Sequence, residues 1–107
     1  MARWRAAAIE RLPELRKIIA SAETVMQLWI EISFEFKKAY GKPNNEDLIR
    51  RIYAYSDWCL HAPRLDDPGR DPSTAAWICL IEDIPGIPAA REDMPRWLTI
   101  EDISGLK

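Results

Sequence analysis

The stretch Val25–Tyr40 alternates in two ways at once, and the choice between them decides the fold class. With period two, Ile30, Ile32, Phe34 and Phe36 face one way while Glu31, Ser33, Glu35 and Lys37 face the other, as in a half-buried strand. With helical spacing, Val25, Trp29, Ile32, Phe36 and Ala39 form one stripe, widened by Met26, Ile30 and Phe34. Gln27, Glu31, Glu35 and Lys38 then form a narrow polar stripe. The helix is the better reading: no Gly or Pro intervenes before Gly41, and the run is far longer than a usual strand of about 5 to 6 residues. It is also rich in Met, Gln, Glu, Lys and Ala, which favour helix. A helix apolar over most of its girth needs cover on several sides and belongs at the centre of a small domain.

Prolines and caps punctuate the rest. A first helix is predicted over Arg3–Arg11, with Trp4, Ala8 and Leu12 on one side; Pro13 kinks or restarts it, and Leu15, Ile18, Ile19 and Ala22 continue the stripe. Ser21 is the expected cap of the central helix, and Gly41 its end. Asn44 followed by Asp47 reads as the cap of a helix over residues 45 to about 61. Leu48, Ile49, Ile52, Tyr53, Ser56, Cys59 and Leu60 form its buried stripe; Asp47, Arg50, Arg51, Ala54, Asp57 and His61 form its wet one.

Pro63 ends that helix, and residues 63–72 are turn-rich. Asp71 caps, and Pro72 opens, a helix to about residue 84 that contains the apolar run AAWICLI. Beyond Pro85 only short helical turns are expected, with Thr99 and Asp102 as a capping pattern before a turn ending at Gly105. The fold class that follows is all-α: one domain over residues 1–107, an antiparallel helical bundle or HEAT-like array of four to six helices. The alternative is a small α+β domain in which residues 28–37 and 75–81 are strands.

Composition narrows the function classes without choosing one. The 107 residues suffice for a core without disulfides or metal. A hydrophobic content of 48% with 30% charged residues is that of a globular chain. The formal net charge of -2 offers no global attraction to nucleic acid or anionic membrane. Within residues 1–20 the charge is nevertheless +3, from five basic and two acidic side chains, and within 66–107 it is -5, from four basic and nine acidic ones. The N-terminal apolar patch is too brief for a signal peptide, and no run approaches the roughly 20 residues of a membrane span. A cytoplasmic location is therefore expected, with Cys59 and Cys79 as reduced core thiols.

Candidate chemistry is sparse. Glu31 and Glu35 lie one turn apart on one long helix, Asp57 and His61 one turn apart on the next. Facing each other, they would make a polar cluster suited to a metal or to acid and base chemistry. A dimetal bundle needs more histidines than the single His61 supplies, and that residue can instead pair with Asp57 at a helix end. Cys59 lies two positions from His61, on a different face, so no Cys and His pair is expected. The basic residues Lys37, Lys38, Lys42, Arg50 and Arg51 are interleaved with acids, so no nucleic-acid footprint survives. No phosphate loop, catalytic triad or zinc pattern is present, and no cofactor is expected.

The five tryptophans need an account. Trp29 and Trp77 are expected in the core and Trp58 at its edge. Trp4 and Trp97 sit beside arginines, where they either form a binding surface with Met94 and Arg96 or seal the ends of the core. The apolar side chains Trp4, Met94, Trp97, Leu98, Ile100 and Ile103 near the two ends suggest self-association.

The segments LWIEISFEF and AY within residues 28–40, EDLIRRIY and WCL within 46–60, and DMPRWL at 93–98 resemble a family of short uncharacterised bacterial all-helical proteins. The resemblance implies a bacterial cytosolic helical domain and carries no functional residues with it. Together these readings favour a protein-binding or regulatory module, such as an immunity-like partner of another protein. The alternative is a small-ligand or metal-dependent enzyme using the carboxylate and histidine cluster.

Overall fold

The computed structural model describes residues 2–67 and 69–98. Thr99, Ile100, Asp102, Ile103 and Gly105, with the capping pattern and apolar positions assigned to them, lie outside the described residues. Among the described residues there are six α-helices and no strand: α1 (Arg3–Arg11), α2 (Arg16–Ser21), α3 (Val25–Tyr40), α4 (Glu46–Leu60), α5 (Pro72–Ala76) and α6 (Pro88–Asp93). The all-α reading holds, and neither stretch proposed as a strand is one. The molecule measures 33 × 32 × 20 Å, so its short axis is about two helix diameters of 10 to 12 Å.

Helix α3 takes the helical option because that phase buries the larger side chains. Val25, Leu28, Trp29, Ile32, Phe36 and Ala39 are all buried, covered by α2, α4 and α5. Ile30 and Phe34, expected to widen the stripe, instead face outward. They sit more than a right angle around the helix from the Trp29 side, beyond the reach of the neighbouring helices.

The start of α3 also differs from expectation. Thr24, not Ser21, is its cap: Thr24 Oγ1 accepts the Gln27 N–H at 3.2 Å, and Gln27 Oε1 accepts the Glu23 N–H at 3.0 Å. This is a variant of the capping box in which the return bond falls on Glu23, one residue before the cap, and its Thr-x-x-Gln spacing is visible in the sequence. Ser21 ends α2, its hydroxyl donating to the Lys17 carbonyl. At the far end Gly41 closes the helix with a right-handed φ of -82°.

The reversal falls on Asn44, whose φ of 66° is a left-handed conformation that Asn tolerates better than most residues. With its backbone used this way, Asn44 is not the cap of α4. Asn45 takes that position without a side-chain hydrogen bond, and Glu46 and Asp47 complement the first turn through the helix dipole. The buried stripe of α4 is as expected except that Leu48 is half-buried and Tyr55 is fully buried.

Asp71 caps α5 as its position before Pro72 predicts, accepting the Thr74 N–H at 3.1 Å. The α-helix is shorter than expected, because Trp77–Ile81 widens into a π-helical turn closed by the Glu82 N–H on the Trp77 carbonyl at 2.9 Å. Cys79, Leu80 and Ile81 are buried within it. Trp77 is only half-buried, packed against the edge of the core and not within it.

Candidate functional site

The four residues of the polar cluster do not come together. Glu31 borders a groove between α2 and α3 with Lys17, Ile18 and Ile30, and Glu35 pairs with Lys38 at 3.6 Å. Asp57 and His61 line a different depression, between α1 and α4, with Arg3, Glu10 and Arg11. His61 Nδ1 lies 3.3 Å from Asp57 Oδ1 and 2.9 Å from the Asp57 carbonyl, the local pairing expected one turn apart. The two polar stripes face different sides because α3 and α4 bury the faces between them. Among the described residues no group of three or more His, Cys, Asp or Glu side chains is placed to hold a metal ion.

The thiols are equally remote from nucleophilic chemistry. Cys59 is buried and accepts the Trp29 Nε1–H at 3.4 Å. Burial pushes its pKa up to about 12, against the opposing hydrogen bond of Trp29. Cys79 is buried with its Sγ 3.5 Å from Met26 Sδ.

Trp4, Met94, Arg96 and Trp97 are divided between two sides of α4. Tyr53 and Tyr55, two residues apart, project to opposite sides of that helix, and each receives one end of the chain. On the first side, Trp97 stacks on Tyr53 at 6.1 Å, and its Nε1–H donates to Asp93 Oδ2 at 2.9 Å. The Tyr40 hydroxyl donates to the same carboxylate oxygen at 2.6 Å. Arg96 lies over the Trp97 ring at 4.8 Å and pairs with both Asp93 and Glu46.

Burial of Asp93 would raise its pKa, but the hydrogen bonds from Tyr40, Trp97 and Arg96 outweigh it and hold the carboxyl below its ordinary range. For Tyr40, burial and the Asp93 contact push the hydroxyl far upward, so it stays a donor. Burial pushes Tyr53 up to about 12. Leu98 is buried. The C-terminal pair Arg96 and Trp97 therefore seals the core.

The second side is open. The Tyr55 hydroxyl donates to the Trp4 carbonyl at 2.9 Å. Its ring stacks between Trp29, at 5.3 Å, and Trp58, at 6.2 Å. This ladder of three rings runs from the middle of the core to a groove of about 390 Å3, where Trp4, Trp58, Val25, Pro63, Leu65 and Pro72 are among the lining side chains. Arg5 holds the Trp4 end, its guanidinium 4.6 Å over the indole and bonded to the carbonyls of Ile19, Ala20 and Ala22. Those are the unsatisfied acceptors at the end of α2.

The opposite wall hangs on one buried carboxylate. Asp71 has no exposed surface and accepts from the Leu65 N–H at 3.0 Å, the Thr74 hydroxyl at 2.6 Å and Arg64 Nε at 2.9 Å, besides its capping bond. Desolvation alone would raise its pKa, yet the hydrogen bonds of Thr74 and Leu65, with the Arg64 charge, keep it below the usual carboxylate range. The Leu65 side chain remains 53% exposed, and Arg3, Glu23 and Arg70 stand at the rim. Tyr55 lies on neither of the two stripes that the sequence pattern assigns to α4, so that pattern does not reveal the groove. The signal was its i, i+3 spacing from Trp58.

Comparison with protein-family models, curated proteins and solved structures gives no match. Among the described residues no helix is long and apolar enough to cross a membrane.

Proposed function

We propose that this chain is a protein-binding module, and that the Trp4, Trp58 and Leu65 groove is where it takes a partner. The observation that carries the reading is the aromatic ladder ending in an open, largely apolar cleft whose walls are already held by Asp71 and Arg5. Rigid aromatic walls lose little entropy on binding and are favoured at binding hot spots. Arg3 and Arg70 at the rim suit an acidic peptide segment that inserts one apolar side chain. Arg70 is shared with Asp67 at 3.3 Å, an exposed pair of little strength that a stronger acceptor can displace. A regulatory or immunity-like role in a bacterial cytosol accords with such a surface and with the absence of any assigned chemistry in the resembling family.

Reciprocal capture from the native host tests this. Wild type should retain a partner that both Leu65→Asp and Arg3→Glu release, while Glu92→Ala, on the far side of α4, keeps it. Capture unaffected by either groove variant would refute the assignment. Should no partner be found, and zinc raise the melting temperature of wild type but not of His61→Ala, the enzyme alternative built on Asp57 and His61 would replace it.

A further inference from the structure

The outer face of α3 carries a second surface, independent of the groove. Ile30 is 44% exposed and Phe34 51%, and Gln27, Glu31, Lys37 and Lys38 around them are exposed too. Two large apolar side chains one turn apart on an uncovered helix face are expensive to leave in water. Their flanking charges are arranged in order: Glu31 lies three residues before Phe34, and Lys38 four residues after it on the same flank.

We propose that this face pairs with the same face of a second copy of the chain, α3 against α3, antiparallel, about a two-fold axis beside Phe34. A two-fold contact brings a patch onto itself, so a patch must be self-complementary to use it. Here the two Phe34 rings meet at the axis. A residue three or four positions before the axis meets one three or four positions after it in the other copy, on the same flank. Glu31 of each copy therefore lies beside Lys38 of the other, giving two opposite-charge pairs around an aromatic centre.

A parallel two-fold arrangement exchanges the flanks, so Lys38 of each copy would lie beside Lys37 of the other, and it is disfavoured by repulsion. Within one copy Lys38 pairs with Glu35 at 3.6 Å, with the lysine side chain 66% exposed, a weak exposed pair that can be shared. Ile30 completes the apolar centre against the aliphatic stem of Lys37 from the other copy.

Sedimentation equilibrium over a concentration series, with circular dichroism as a check on folding, decides the matter. Wild type is expected to pass from monomer to dimer, and Phe34→Glu to weaken association at least about tenfold, equivalent to about 1.4 kcal/mol. Glu31→Lys and Lys38→Glu should each weaken it, and the double variant Glu31→Lys/Lys38→Glu should restore it.

A monomeric mass up to about 1 mM would overturn the proposal, since a specific contact weaker than that has no stable dimer to offer. A dimer indifferent to Phe34→Glu, or a double variant no better than the singles, would overturn it equally. Leu65→Asp should leave the dimer intact, so failure here and failure of the groove assignment are separable.

Discussion

Helices α3 and α4 and the chain from Pro72 to Arg96 stabilise the same core by different means. The two long helices bury continuous stripes, with Trp29, Ile32, Phe36, Ile52, Tyr53 and Tyr55 inaccessible or nearly so. Beyond the ten residues of α5 and its π-helical turn, which bury Ala75, Ala76, Cys79, Leu80 and Ile81, the later chain is cut into short turns by prolines. It is fastened at two points by carboxylates, Asp71 at its start and Asp93 near its end, each collecting several donors. Long elements can rely on non-directional burial, whereas short ones need directional bonds to select a single pose.

The sharpest way to break this contrast is to remove one anchor of each kind. Trp29→Ala empties the centre and loses the ring stack on Tyr55, so it should cost about 3 to 5 kcal/mol in urea melts. Trp77→Ala should cost clearly less, because the half-buried ring leaves no closed cavity. Asp71→Ala takes the acceptor from the Leu65 and Thr74 N–H groups and should cost about 2 to 4 kcal/mol, in the range for leaving partly buried donors unpaired. A loss within about 0.5 kcal/mol, typical of surface changes, would mean that the carboxylate is not an anchor.

Acid should test the carboxylate anchors of the later chain. The folded-state pKa values of Asp71 and Asp93 lie below the ordinary value of 3.8. Their contribution to stability is therefore complete above that value and is lost as pH falls through the folded pKa. Stability measured from pH 6 downward should decline below about pH 4, and Asp71→Asn should flatten part of that decline. A pH-independent stability between 6 and 2 would contradict the anchor role.

The smallest expected effect is at Ser56, whose buried hydroxyl has no hydrogen-bond partner among the described residues. Ser56→Ala should be neutral or stabilising by up to about 1 kcal/mol. A larger loss would reveal a bond to that oxygen.

Much of this architecture was legible from local pattern. The bounds of α1 follow from Pro13, the capping of α5 from Asp71 before Pro72, and the buried face of α3 from its 3.6-residue spacing, because each depends on residues close in sequence. Thr24 as the cap of α3 is equally visible in its spacing from Gln27.

Tertiary structure alone decided the rest. Periodicity says that α3 has an apolar surplus, but only the positions of α2, α4 and α5 determine that Ile30 and Phe34 are the part left uncovered. Glu31 and Glu35 lie one turn apart on α3, as do Asp57 and His61 at the end of α4. Whether the two pairs met depended on helix rotation, which is set by Trp29, Tyr55 and Cys59 packing across the interface. The separation of Trp4 from Trp97 has the same origin: α4 sends Tyr53 and Tyr55 to opposite sides, and one-dimensional spacing cannot say which chain end each will receive.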